Sequence, residues 1–139
     1  MAEPQITFDY INPESLGAPR GYSNGVLTSA AGRLLFVAGQ IGWDEKQAIV
    51  SDDFVTQFDR ALANVVTVVT EAGGSPQQIA RLVMYVTDKK EYRDRRDEIG
   101  RCYRAHLGKH FPAMVLVEVK SLLDDSAKVE IEAIAVLNP

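Results

Sequence analysis

Residues 111–119, FPAMVLVEV, and residues 129–136, VEIEAIAV, are runs of β-branched and apolar residues too short for a globular helix, separated by a polar, Asp-containing break at 121–127. They predict two adjacent strands of a buried sheet. Side chains alternate along a strand, so Met114, Leu116 and Glu118 share one face and Val115, Val117 and Val119 the other. The valine face is expected to be core, and the face ending in an acid a cleft wall or subunit contact. In the partner strand Glu130 and Glu132 share one face, opposite Val129, Ile131, Ala133 and Ala135. Two carboxylates so placed must be solvated, paired or functional.

Upstream of this pair, a second long helix is expected from about 89 to 107, with Asp88 and Glu91 resembling a capping box and Tyr92, Ile99, Cys102, Tyr103 and Leu107 facing inward. Its mixed charges at 91–98 read as a solvated face, with an anion-binding patch as the alternative. Cys102, on the inward stripe, reads as a small buried hydrophobe rather than a reactive thiol. Residues 81–87, RLVMYVT, predict a strand, preceded by a short helical turn at Ser75-Pro76. Phe54, Phe58, Leu62, Val65 and Val69 recur at helical spacing, with Ser51, Asp52 or Asp53 as the cap and Gly73-Gly74 as the stop. Residues 26–29 and 34–40 predict a hairpin around Ala31-Gly32. Gly39 and Gly42 bracket Gln40, and a strand glycine marks either a bend or bulge, or a close approach of ligand or backbone. A strand at 6–11 leads into a Gly- and Pro-rich loop, from which Tyr22 either overhangs a site or covers the core edge.

The elements alternate as strand, hairpin, helix, strand, helix, strand, strand. The expectation is an α+β two-layer domain spanning 1–139, one mixed sheet with two helices on one face. Its other face cannot stay bare to water, and a closed homo-oligomer is the usual solution.

Composition narrows the function. The chain of 139 residues, 46% hydrophobic and 24% charged, has the make-up of an ordinary globular domain. A net charge of -4 gives no footprint for nucleic acid. One cysteine and two histidines make a metal centre an unpromising reading, although His106 and His110 are four residues apart. With no apolar run long enough for a membrane span and no leader-like N-terminus, a cytoplasmic location without membrane partners is expected. Phosphate-loop, dinucleotide, nucleophile-elbow and zinc-protease motifs are missing from the sequence. Carboxylates, Gln40, tyrosines and backbone groups remain for acid-base or oxyanion work. Glu130 is the preferred proton-handling acid, the alternative being a cross-strand pair with Lys128 or Lys120.

The series INPESLGAPRGYSNGV, FVAGQIGWD, EAGGSP, RLVMYVTD, HFPAMVLVEV and KVEIEAIAV closely resembles the reactive intermediate deaminase family, also known as Rid/YjgF or L-PSP, over nearly the whole chain. The resemblance implies a chorismate-mutase-like fold, a homotrimer with a barrel-like centre, and ligand clefts between subunits. It also implies hydrolysis of enamines and imines such as 2-aminoacrylate without a metal or organic cofactor. Carried over by motif, the family's loop tyrosine matches Tyr22, its strand glycine Gly39, with Gln40 beside it, and its acid Glu130. The residue after Phe-Pro-Ala is an arginine clamp in deaminase members and is Met114 here; the cysteine common two places on is Leu116. The family's helix asparagine has no clear counterpart. Losing a charge-assisted clamp weakens carboxylate binding by about tenfold to over a hundredfold. The small-molecule substrate is therefore expected to differ from 2-aminoacrylate, unless Arg20 or Arg81 substitutes. A non-catalytic metabolite-binding trimer is the alternative, and an endoribonuclease comes last.

Overall fold

The computed structural model describes residues 5–29 and 31–139; the first four residues of the N-terminus, read above as not leader-like, lie outside them. Strands β1 (Phe8–Ile11) and β2 (Gly25–Thr28) pair antiparallel as a small separate sheet. There follow β3 (Arg33–Ile41), α1 (Phe54–Glu71), β4 (Ile79–Val86), α2 (Lys89–Asp94), α3 (Arg96–Leu107), β5 (Ala113–Glu118) and β6 (Val129–Leu137). The main sheet is four-stranded and mixed, in the order β3-β6-β4-β5. The fold is α+β, with the helices on one face.

Helix α1 forms where the spacing predicts. Asp53 caps it, its carboxylate accepting from the Thr56 N–H at 3.0 Å. Gly73, at φ 90°, takes the chain out of the helix in a conformation that suits glycine. Phe58, Leu62, Val65 and Val69 are buried against Ile131, Ala133 and Leu82. The second long helix, expected over about 89–107, breaks in two at Arg95 (φ −121°, ψ 30°), whose guanidinium reaches Asp53 at 2.5 Å and Glu98 at 2.6 Å. The capping box does not form. Asp88 accepts from the Lys90 N–H, and Glu91 pairs with Lys128 at 3.6 Å.

Three further expectations are corrected. First, β5 and β6 are not adjacent, because β4 lies between them, parallel to β5 and antiparallel to β6. The α2–α3 crossover returns β5 parallel to β4, and the connection after β5 passes the end of β4, which bonds both ways: Val119 N–H to Val86 O and Thr87 N–H to Lys128 O. Second, β2 and β3 belong to different sheets and form no hairpin. A Cβ on Gly32 would lie 2.6 Å from the Leu137 carbonyl oxygen, so the glycine serves close approach to β6. Third, the faces of β5 are reversed. Met114 and Leu116, in register with Leu82 and Met84, pack on the helix side, while Val115 and Val117 are exposed on the other. Both faces of this strand are apolar, so alternation alone could not separate them. Glu118 lies at the strand end and accepts the Lys89 N–H at 3.0 Å.

The far face is left uncovered in the single chain. Leu34 and Phe36 of β3 are 64% and 70% exposed there.

Candidate functional site

The sequence-selected residues fall into two groups. On the open face, β3 shifts register against β6 between Val37 and Gln40, a bulge that contains Gly39. The Glu130 side chain lies across this glycine: a Cβ there would come within 2.8 Å of the carboxyl carbon. Any larger residue at 39 would displace the carboxylate. Gln40 bends back, its Nε2 donating to the Ala38 carbonyl at 3.2 Å. Tyr85 stands beside Glu130 across the strand pair and donates to Glu132 Oε1 at 2.6 Å. That hydrogen bond, with the neighbouring carboxylates, raises the Tyr85 phenol above its ordinary pKa. Glu130 pairs with neither lysine of the sequence-based alternative among the described residues; Lys128 turns to Glu91 instead.

The second group lines an open cavity of about 640 Å³ on the helix side. Its roof is the Gly-rich loop. Gly17 and Gly21 take φ of 78° and 76°, and Ser23 anchors the loop to the start of β5, its hydroxyl donating to the Phe111 carbonyl at 2.6 Å and its N–H to Pro112 O. Tyr22 is thereby held over the cavity, 37% exposed. Phe58, Met84 and Ile99 form the floor, and Met114 closes the β5 side. Tyr103 stacks on Phe111 with ring centroids 5.6 Å apart, and its hydroxyl donates to the His110 carbonyl at 2.6 Å. Burial pushes that phenol well above its ordinary pKa, which keeps it neutral and a donor.

Arg20, Arg96 and Arg104 stand around this cavity, and among the described residues no acidic side chain lines it. Sequence reading named Arg20 as a possible clamp, counted Arg96 in a solvated face and passed over Arg104. The signal was Arg96, Gly100 and Arg104 at successive four-residue steps, one stripe of α3. Arg81 instead lines a smaller groove of about 270 Å³ beside Ala113 and Val115, reached also by Met114 and Tyr22. Leu116 packs into the core and lines neither space. Tyr22 and Met114 thus come together, as do Gly39 and Glu130, but within one chain the two pairs lie on opposite faces of the sheet, and Gln40, in register with Ile131, is not brought against Glu130.

The histidines part company. His106 Nε2 meets Asp59 Oδ1 at 2.8 Å, whereas buried His110 donates from Nε2 to the Ile79 carbonyl at 2.6 Å and accepts at Nδ1 from Tyr10 at 2.7 Å. They share no metal geometry. Cys102 is half-buried, and burial pushes its thiol pKa up, as suits an unreactive packing residue.

A mixed four-stranded sheet backed by two main helices, with a carboxylate over a strand glycine and a cavity under a Gly-rich loop, defines a small α+β protein. The family model described as Endoribonuclease L-PSP matches residues 13–137, and the chain belongs to this family, the Rid/YjgF proteins. A RutC family protein of Pyrococcus horikoshii is 32% identical over 132 residues, covering 94% of this chain and 96% of its own. A Yersinia pestis protein of the Rid family, YyfB, described as of unknown function, superposes with a TM-score of 0.83 at 30% identity over 94% and 98% of the two chains. TdcF of Escherichia coli, named as a candidate reactive intermediate deaminase, is 31% identical over 76% of this chain and 80% of its own. Its crystal structure with bound serine superposes with a TM-score of 0.66, covering 86% and 91%. The family thus includes proteins named as candidate reactive intermediate deaminases. No helix among the described residues is long and apolar enough to cross a membrane.

Proposed function

We propose that this protein is a cofactor-free hydrolytic deaminase of imines or enamines, working in the cytoplasm as a homotrimer with its small-molecule clefts between subunits. The observation that carries the reading is Glu130 laid over the bare backbone of Gly39 on an otherwise open sheet face. A carboxylate so placed can take a proton from water as the oxygen attacks an imine carbon, then return it to the departing nitrogen. The balance is imine plus water to carbonyl plus ammonia, with no change of oxidation state. An enamine first takes a proton at carbon to become the imine.

The split site supports the inter-subunit cleft. Glu130 is on the open face and the cavity on the helix side, so a second copy would have to bring its carboxylate to the cavity mouth. Exposed Leu34, Phe36, Val115 and Val117 supply an apolar surface for such an assembly. TdcF, with its deaminase name and its serine complex, supports an amino-acid-like substrate class. Met114 in place of an arginine favours a substrate other than 2-aminoacrylate.

The test is ammonia release from imines generated in situ, wild type beside Glu130→Gln and Met114→Arg. The expected result is activity in wild type, a loss of about a hundredfold or more in Glu130→Gln, and an unchanged assembly by light scattering. Full turnover in Glu130→Gln would remove this residue from the chemistry. Silence in wild type and in Met114→Arg would favour the second reading, a non-catalytic metabolite-binding trimer, for which Met114 is the supporting observation. Ribonuclease activity, which the family description names, has less support from an acidic chain without an extended basic surface.

A further inference from the structure

Three arginines stand around one cavity in a chain of net charge -4. Among the described residues, Arg95, Lys90, Lys128 and His106 are tied to carboxylates, whereas Arg20, Arg96 and Arg104 make no ion pair. They stand where no acid lines the wall, so a ligand anion would meet three guanidinium groups without displacing an internal partner.

The same cavity is apolar below its rim. Tyr22, Tyr92 and Phe111 present aromatic surface, and the floor is thioether and hydrocarbon. Gly100 makes room for it. This glycine sits inside α3, where glycine is a poor helix former, and the Arg104 guanidinium rests over it: a Cβ would come within 3.0 Å of Nη1. A side chain at 100 would fill the cavity and push the guanidinium aside.

We infer that the cavity takes an organic anion with a bulky apolar body, of the size of an aryl-substituted 2-oxo or 2-imino acid, whose carboxylate is held by Arg20, Arg96 and Arg104. The anion clamp has moved from the β5 position, now Met114, to α3 and the Gly-rich loop. Gly100 leaves room for the Arg104 guanidinium, and the ligand's body lies over Phe58, Met84 and Ile99 against the aromatic walls. This deepens the deaminase reading by naming its substrate class, and rests on that reading only for what becomes of the ligand once bound.

Calorimetric titration of the intact protein tests it, with phenylpyruvate as probe, pyruvate to remove the aryl group and phenylacetone to remove the carboxylate. Phenylpyruvate is expected to bind saturably, and each control at least about tenfold more weakly. Arg96→Met and Arg104→Met should each weaken phenylpyruvate by about tenfold, with Arg→Lys partly restoring it, and leave phenylacetone unchanged. Gly100→Leu, a substitution favourable to the helix, should abolish phenylpyruvate binding without lowering the unfolding midpoint. No saturable binding of phenylpyruvate, equal binding of pyruvate or phenylacetone, or arginine variants that bind like wild type would each overturn the inference. Arginine-dependent binding without ammonia release from the matching imine would leave it standing and defeat the deaminase reading. Turnover of small imines with no response to the arginine variants would do the reverse.

Discussion

One face of the main sheet is sealed by α1 and α3 and the other is open, though both are built largely of valine, isoleucine, leucine and phenylalanine. On the sealed side Leu82, Val86, Val129 and Ile131 have no measurable exposure, while on the open side Leu34 and Phe36 keep about two-thirds of theirs. Polar chemistry makes the distinction that hydrophobicity does not. Arg81 and Tyr85 of β4, and Glu130 and Glu132 of β6, all turn to the open face; their alternates Leu82, Met84, Ile131 and Ala133 turn inward. A charged group at the helix layer would need a partner or lose its hydration, whereas on the open face it keeps water or meets a neighbouring chain. The open face is therefore where an acid can be spent on catalysis, and the sealed one supplies the stability that allows it.

The most severe test of this contrast is truncation on the two sides. Leu62, fully buried under the sheet, should cost about 2–5 kcal/mol as Leu62→Ala, through lost transfer energy and the cavity left behind. Leu34→Ala should change the stability of an isolated chain by no more than about 0.5 kcal/mol. Urea denaturation at low protein concentration measures both. Equal losses would mean that the open face is covered within the chain and that the comparison fails.

The next effect concerns what covers that face. Phe36→Asp places a charge at the most exposed large apolar position of β3, and a buried interface would lose on the order of 2 kcal/mol or more per subunit. Sedimentation should show the proposed assembly dissociating to a chain with an unchanged circular dichroism spectrum. An unaltered sedimentation coefficient would exclude this face from the oligomer.

Much of the fold was legible because the signals were local: helix α1, with its cap among Ser51, Asp52 and Asp53, and the strand at RLVMYVT follow from spacing and residue type, and Gly39 marked either a bulge or a close approach. What was misread depended on partners distant in sequence. Nothing in VEIEAIAV says that β4 rather than β5 lies beside it, since strand order is set by the helical crossover. The Ala31-Gly32 turn looked like a hairpin because a local turn signal cannot show that β2 has already paired with β1. The site divides in the same way. Tyr22 and Gly39 announced themselves by glycine context, whereas Arg96 and Arg104 stood among mixed charges, and only the break at Arg95 with its two acidic partners shows which guanidinium groups are occupied.

Acid should be felt first on the sealed side. His110 ties the small sheet to β4, with Tyr10 on one ring nitrogen and the Ile79 carbonyl on the other. Burial lowers its pKa below the usual 6.5, and the hydrogen bond to Ile79 only partly opposes this. The neutral ring is thus the folded form. Its contribution is complete above about 6.5 and declines as pH falls below that value, by at most about 1.4 kcal/mol per pH unit. Melting curves between pH 7.5 and 5 should show the decline, and His110→Leu should flatten it; the same slope in the variant would assign the effect to another group.

The smallest effect lies at the helix that does the sealing. Asp53 caps α1 and pairs with Arg95, and the Arg95 hydrogen bond, with those from Thr56, holds the carboxyl down to about 2, against 3.8 for an ordinary aspartate. A depressed acid stabilises the fold above its ordinary pKa and loses that contribution as pH falls through the folded value, so the window runs from about 4 down to 2. The side chain is 40% exposed, and solvent screens the ion pair, so most of what it contributes is the cap. Asp53→Ala should therefore cost about 1 kcal/mol at pH 7, and Asp53→Asn much less, because asparagine caps without pairing. Urea midpoints at pH 7 and pH 2.5 separate the two contributions. If Asn and Ala lose equally at pH 7, the ion pair to Arg95 rather than the cap holds α1 over the sheet, and the break between α2 and α3 is part of what seals that face.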